Sequence, residues 1–316
     1  MENSAKSGVF KYDHAWSITQ TLENLIEALR EGWDISISTS GSTGAPKEIL
    51  LPASAMIYSA RNSNQFLDAK PGDRWSLLLS PEHTAGLNVL VRSIELGTIP
   101  VTENESADFT AIVPTQLFRA LNGDNKLLKH LQGCKAVLVG GAHAEETILN
   151  QAKSSGINCV TTYGMTETSG GCVYNGVPLP GVEIRINDTI EIKGPMLARV
   201  ELQDGFFVTS DLGKFEAGNL IILGRSDDVI NSGGKKVSLS KVENALGSEF
   251  AAFGSENSEW GAALNIATTS QMSDAEIQLV LSVKFGVKAL HIYRVTEIPK
   301  TALEKIDRQA LGKLIS

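Results

Sequence analysis

Between residues 110 and 161 the chain alternates short apolar runs with helix-length stretches, a rhythm that restricts its fold more than any other feature. Thr110–Val113 reads as a strand, Gln116–Leu121 as a helix, Lys135–Val139 as a strand, Ala144–Lys153 as a helix and Ile157–Thr161 as a strand. Parallel neighbours cannot be joined by a tight hairpin, so each helix must cross over, and the pattern predicts βαβ units and a largely parallel sheet. Upstream, Leu22, Leu25, Ile26 and Leu29 recur at helical spacing before the stop signal Gly32, and Asp34–Ser38 alternates as a strand does. Helices are expected over Ala53–Leu67 and Ala85–Leu96, with the strand Trp75–Leu79 between them.

After Gly170 the texture changes. Glu183–Ile186, Thr189–Ile192, Phe206–Thr209 and Leu220–Leu223 are short strand-like runs separated by Gly, Asp and Asn, which predicts antiparallel strands appended to the α/β body. The polar, glycine-rich SDDVINSGGKKVS then precedes a helical Leu239–Leu246. The fold class expected is α/β: a large domain over residues 1–226 with an appended β element, then a small α+β domain over 227–316. A length of 316 residues fits about two domains.

With 36 acidic against 28 basic residues the net charge is −8, which argues against a dedicated nucleic-acid binder. A local site can still be positive and accept anions. No run approaches the ~18 apolar residues of a membrane span, and the first residues lack the apolar core of a signal peptide. Cys134, Cys159 and Cys172 form no CxxC pair and read as reduced, mostly buried thiols of a cytoplasmic protein.

Thr39-Ser40-Gly41-Ser42-Thr43-Gly44-Ala45-Pro46-Lys47 follows a predicted strand. Small residues let backbone N–H groups converge on an anion, while hydroxyls and Lys47 add donors, so phosphate is the natural occupant. The spacing fits neither a Walker loop nor a Rossmann turn. A second segment, Thr161-Thr162-Tyr163-Gly164-Met165-Thr166-Glu167-Thr168, stands at the carboxyl end of a predicted parallel strand, where open α/β sheets bind ligands. Glu167 is a hard oxygen ligand suited to Mg²⁺ beside substrate phosphates, and Tyr163 offers a flat face to a base. Gly140 and Gly141 end the preceding strand and would let a ring approach the backbone. Asp211, in TSDLG, could accept from vicinal hydroxyls, although Asp-Leu-Gly is as often a turn. Arg225, in GRSDD, adds a ribose or phosphate donor.

In this order TSGSTGAPK, YGMTET, TSDLG, GRSDDVINSGGKKVSLSKVE and PKTALEKIDR resemble the adenylate-forming superfamily of acyl-CoA synthetases, adenylation domains and luciferases. The stretches HTAGLNVLVRSIELGTIPV and VTTYGMTETSGGCVYNGVPLPGV are most similar to o-succinylbenzoate–CoA ligases of menaquinone synthesis. The resemblance opens at Thr39, whereas relatives place a long segment before this loop, so it implies a large domain shortened at its N-terminus. It implies that Thr39, Ser40, Gly41, Ser42, Thr43, Gly44 and Lys47 hold the β- and γ-phosphates of ATP. Thr166 and Glu167 would meet the α-phosphate and Mg²⁺; Gly140, Gly141 and Tyr163 would frame adenine, with Gly164 also in the ATP site; Asp211 and Arg225 would grip the ribose. Asp227 matches the hinge about which a mobile cap swings. Lys305 matches the adenylation lysine, and Gly233, Gly234 and Lys236 a loop lining the CoA thiol tunnel.

The activity implied is a ligase that joins o-succinylbenzoate to AMP, expels pyrophosphate, and passes the acyl group to CoA. Lys305 would stabilise phosphoryl charge in the first step only, so a hinge lets one cleft host both half-reactions. The family's Gly before this lysine is Glu304 here; in an extended segment neighbouring side chains point apart, so Glu304 is expected to face solvent. For the acyl pocket the candidates are His83, Asn88, Arg92, Gln116, Thr162, Ser169 and Gly170. The substrate's second carboxylate needs a cationic or multi-donor partner. Arg92 could serve, or could equally sit on the solvent face of its helix. Other readings are a ligase for another small aryl or acyl acid, an adenylation module loading a carrier protein, or a non-catalytic sensor. The oligomeric state is open, a homodimer included.

Overall fold

The computed structural model describes residues 8–40, 46–257, 261–300, 306–308, 310 and 311. Its centre is a six-stranded sheet in which spatial order follows chain order: Trp75–Ser76, Phe109–Ile112, Ala136–Val139, Cys159–Met165, Gly170–Tyr174 and Val177–Pro178. The first four strands are parallel and the last two antiparallel, so the predicted parallel body ends where the chain texture changes. Alternate side chains of each buried strand face opposite helical layers. Ile112, Val137 and Val139 pack with Leu117, Leu127, Leu131 and Ala152 from the crossover helices Pro114–Leu121, Asn125–Gly133 and Glu146–Ser154. Phe109, Ala111 and Leu138 face the other way, toward Val89 of the helix Thr84–Glu95.

The helix Ile18–Glu31 begins at the Ser17 cap and stops at Gly32, whose φ of 71° is the left-handed conformation glycine reaches without a Cβ penalty. It packs on a three-stranded sheet of Val9–Lys11, Asp34–Ser40 and Pro46–Pro52. Asp34–Ser40 and Pro46–Pro52 form an antiparallel hairpin, paired from Asp34↔Pro52 to Ser40↔Pro46. The expected strand Trp75–Leu79 shrinks to Trp75–Ser76, because Leu77 donates instead to Val101 O outside the ladder.

Downstream lie a three-stranded antiparallel sheet (Glu183–Ile186, Ile190–Lys193, Phe207–Val208) and the hairpin Asp211–Glu216 with Asn219–Arg225. A turn of 3₁₀ helix, Ser226–Asp228, leads into a further sheet built from Val229–Ser232, Lys235–Ser238, Phe250–Asn257, Gly261–Thr268 and His291–Arg294. The helices Leu239–Leu246 and Asp274–Phe285 cover it, the second started by a reciprocal Ser273–Glu276 cap. Among the described residues no buried apolar cluster draws side chains from both sides of Ser226–Asp228.

All three cysteines are free. Burial pushes Cys134 and Cys172 up to about 12 and Cys159 up to about 11. Less than about one thiol in a thousand is then ionised at pH 8, so native protein is expected to react slowly with iodoacetamide at all three. Quantitative labelling within the time needed to label the urea-unfolded chain would contradict these environments.

Candidate active site

The strand Cys159–Met165 carries the second sequence segment to the carboxyl end of the parallel sheet, as its position after a crossover helix predicted. Tyr163 leaves this strand with its hydroxyl donating to Asp211 Oδ2 at 2.8 Å, and Arg225 Nη1 lies 3.5 Å from Asp211 Oδ1. The sheet and the distal hairpin thus bring the adenine and ribose candidates together. Asp211 is 8% exposed and opens the strand Asp211–Glu216, so the turn reading of Asp-Leu-Gly does not hold. Its pairing with Arg225 is set by register, since the two are Cα partners at the ends of the hairpin. Burial, then the neighbouring Asp211 charge, pushes the Tyr163 phenol far above its ordinary value, which keeps it a neutral donor.

Gly140 and Gly141 close the neighbouring strand Ala136–Val139. A Cβ on Gly140 would lie 2.3 Å from Thr162 Oγ1, and Gly141 has φ 80°, so neither position accepts a larger residue without a shift.

Beyond Met165 the chain turns through Thr166–Thr168. Thr84 Oγ1 donates to Thr166 Oγ1 at 3.0 Å, and Asn88 Nδ2 donates to Thr84 O and Ser169 O at 3.0 and 2.9 Å. Ser169 is buried with φ 50°, its hydroxyl on Met196 O, and a Cβ on Gly170 would strike Asn88 Nδ2. Thr166, Asn88, Ser169 and Gly170 therefore form one polar floor. The Glu167 carboxylate is half-buried beside it and pairs with no cation among the described residues. His83 is half-buried at the start of the same helix, without a side-chain capping bond. Gln116 spends both ends of its amide tying Val113 N to Leu78 O, a bracing role beside the expected lining one. Thr162 donates weakly to Val139 O.

Arg92 follows Asn88 by one helical turn and is 3% exposed, so the solvent-face alternative is excluded. Its guanidinium lies 4.9 Å over the Trp75 ring and donates to Tyr174 Oη at 3.2 Å, while Nε has no partner. No carboxylate pairs with it among the described residues. Sequence reasoning missed Thr84, Trp75 and Tyr174. Thr84 was within reach, since Thr84, Asn88 and Arg92 repeat every fourth residue and so share a helix face.

The phosphate-loop candidates divide. Thr39 hydrogen-bonds Lys47 O across the hairpin at 3.2 Å, Lys47 is exposed, and Ser40 ends its strand. Gly41, Ser42, Thr43 and Gly44 lie outside the described residues, as do Glu304 and Lys305. The former stretch is bounded by Ser40↔Pro46, and the latter by the bridge Lys300↔Ile306. Gly233 and Gly234, with φ 59° and 81°, form the two-residue turn between Val229–Ser232 and Lys235–Ser238, and Lys236 stands exposed on the second strand. At the hinge candidate the neighbours part company. Ser226 bonds back to Ser210 O through its N–H and hydroxyl, whereas Asp228 accepts forward from Ser238, Ser240 and Arg308.

A carboxylate-bearing strand end, a polar floor and a buried cation around the edge of a parallel sheet are the makings of a nucleotide-dependent acid-activating enzyme. The chain belongs to the AMP-binding enzyme family, whose model matches residues 35–195. It is 37% identical to the probable 2-succinylbenzoate–CoA ligase of Mycobacterium tuberculosis strain H37Rv over 341 aligned positions, covering 92% of this chain and 88% of that one. The 2-succinylbenzoate–CoA ligase of Listeria monocytogenes EGD-e is 28% identical, over 90% of this chain and 71% of the relative. The fold is shared with o-succinylbenzoate CoA synthetase (MenE) of Bacillus subtilis. Its complex with the acyl-adenylate intermediate OSB-AMP superposes with a TM-score of 0.76 at 23% identity, over 88% of this chain and 68% of that one. Its complex with ATP and magnesium ion gives 0.76 at 22%, over 97% and 79%.

Proposed function

We propose that this chain activates o-succinylbenzoate with ATP as an acyl-adenylate, releasing pyrophosphate, and then transfers the acyl group to CoA, releasing AMP. The observation that carries the substrate is Arg92. An arginine stays protonated, and a buried guanidinium without an anion is costly. Its planar donors suit the second carboxylate of a dicarboxylic acid, one helical turn from the polar floor at Asn88 and Thr166.

In the first half-reaction a substrate carboxylate oxygen attacks the α-phosphorus, and the bond from that phosphorus to the α,β-bridging oxygen breaks as pyrophosphate leaves. Thr166 donates to the α-phosphate, and Lys305 stabilises the charge that builds on it. Asp211 and Arg225 hold the ribose, Tyr163 with Gly140 and Gly141 frames adenine, with Gly164 also in the ATP site, and Thr39 to Gly44 with Lys47 receive the outer phosphates. The Glu167 carboxylate, which pairs with no cation among the described residues, fits Mg²⁺, which when bound with the substrate phosphates would neutralise their charge. In the second half-reaction the CoA thiolate attacks the acyl carbonyl and AMP departs, with Gly233, Gly234 and Lys236 lining the thiol path.

We assign the large domain to residues 1–226 and a mobile cap to 227–316, with Asp227 as pivot; the opposed bonding of Ser226 and Asp228 supports that division. We place the enzyme in the cytoplasm, a reading supported by its three unbridged thiols. Among the described residues no helix is long and apolar enough to cross a membrane. A homodimer stays an expectation of the sequence, which light scattering of the purified chain tests.

The decisive assay is pyrophosphate release against a panel of acids, followed by product analysis with CoA. o-Succinylbenzoate should be preferred over mono-carboxylic aryl and fatty acids. Preference for a mono-acid, or product formed only with a carrier protein present, would overturn the reading. Asp211→Asn keeps the shape of the side chain and removes its charge. It should raise the KM for ATP about 10- to 100-fold, the worth of a charged hydrogen bond, and leave the KM for the acid near wild type.

A further inference from the structure

Beyond the pivot lies a partly buried ionic cluster, of which only the Arg308–Asp228 contact has been described above. Arg308 Nη2 lies 3.1 Å from Asp228 Oδ1 and 2.9 and 3.0 Å from the two oxygens of Glu243, while its Nε donates to Ala252 O at 3.1 Å. Asp228 spends its other oxygen on the hydroxyls of Ser238 and Ser240 and on the Ser240 amide. Glu243 also accepts from Ala252 N at 2.9 Å. One guanidinium therefore joins four pieces of chain: the residue after the pivot, the helix Leu239–Leu246, the strand Phe250–Asn257, and the segment that follows Ile306.

That last segment is otherwise tied by backbone. Ile306 pairs with Lys300, Asp307 N donates to Pro299 O at 2.8 Å, and Leu311 is buried with Phe253 and Ala267. These contacts fix the segment to the sheet of the cap, and the Arg308–Asp228 pair ties it to the pivot turn as well. Such a pair has consequences when broken. Burial pushes the Glu243 carboxyl up to about 7, against the pull of Arg308 and the Ala252 amide, and the negative charge of Asp228 adds to the rise. Without Arg308 two acidic groups face each other with no counter-charge.

We propose that Arg308 is a positioning residue for the adenylation half-reaction: by clamping Asp228 and Glu243 it sets the place of the chain just after Lys305 relative to the pivot. The inference rests on the role given to Lys305. Because that lysine is used only when the adenylate forms, a clamp acting through it should matter in one half-reaction and not in the other. A cluster that merely stabilises the cap would depress both.

The test measures two rates on full-length enzyme: pyrophosphate release in a single turnover, and CoA consumption of pre-formed o-succinylbenzoyl-adenylate. Arg308→Gln should slow the first about 100-fold, the cost of a displacement near 1 Å, with the second near wild type. Arg308→Lys should recover part of the loss, since it keeps the charge without the fork. Glu243→Gln, which preserves shape, serves as a milder second break if Arg308→Gln does not fold, and should show the same split. Equal loss in both rates, or wild-type pyrophosphate release from these variants, overturns the proposal. Lys305→Ala is run beside them: a slow first step there with a fast one in Arg308→Gln removes only the clamp. A fast first step in Lys305→Ala removes the reading beneath it.

Discussion

Replacing Lys305 by alanine is expected to slow adenylate formation about 100- to 1000-fold, the usual cost of deleting one donor aimed at developing charge. The attacking carboxylate, the α-phosphate and the departing pyrophosphate are all anionic, so the transition state gathers negative charge where the ground state had it spread and hydrated. A lysine brought to that point by the proposed closing of the cap would oppose this charge without water to screen it. The second half-reaction has no such need. There the thiol attacks the acyl carbon and no bond to phosphorus is made or broken, so the same variant should convert pre-formed acyl-adenylate and CoA to thioester at close to the normal rate. Loss of both steps would assign Lys305 to the integrity of the cap, and loss of neither would move the adenylation role elsewhere.

The second large effect is expected at Arg92. Truncating one partner of a buried, hydrogen-bonded charge pair costs roughly 2–5 kcal/mol, so Arg92→Leu should lower kcat/KM for o-succinylbenzoate by about 30-fold to several thousand-fold. The loss should fall on the KM for the acid, because the second carboxylate does not change its charge during the reaction and is bound equally before and at the transition state. Against an analogue carrying a methyl group in place of that carboxylate, wild type and variant should differ little. If Arg92→Leu still preferred the diacid over the methyl analogue by the wild-type margin, another group would have to read the carboxylate. Leucine is chosen because it fills part of the space against Trp75, so the comparison is less confounded by a cavity.

How much of this was legible in the chain varies by element. The crossover helices Pro114–Leu121 and Glu146–Ser154 and the strands beside them announce themselves through periodicity, while Gly32 marks the end of Ile18–Glu31 and Gly140 and Gly141 that of Ala136–Val139, because backbone sterics act locally. The helix Asn125–Gly133 escaped because Asn125, Lys126, Lys129 and Gln132 leave only Leu127, Leu128 and Leu131 to signal it. Pro46–Pro52 escaped as well: it opens on Pro-Lys-Glu, and its strand character comes from pairing with Asp34–Ser40. Within the site the individual residues stood out while their partners did not. Nothing in the sequence joins Tyr163 to Asp211, since the contact is made by two sheets that meet in space. The burial of Arg92 was equally hidden, because arginine is ordinarily exposed and only the Trp75 and Tyr174 environment decides otherwise.

The opposed loyalties of Ser226 and Asp228 bear on how an enzyme of this kind can be altered. With Asp227 as the proposed pivot, the path between the two proposed poses would be described by two dihedral angles of a single residue. Each module then travels as a unit, and the chemistry inside it is indifferent to the journey. The balance between poses is consequently written on the outer faces of the modules, in whatever each face touches at either end of the swing. Surface substitutions far from ATP could retime the alternation of the two half-reactions while every group that handles phosphate or carboxylate stays where it is.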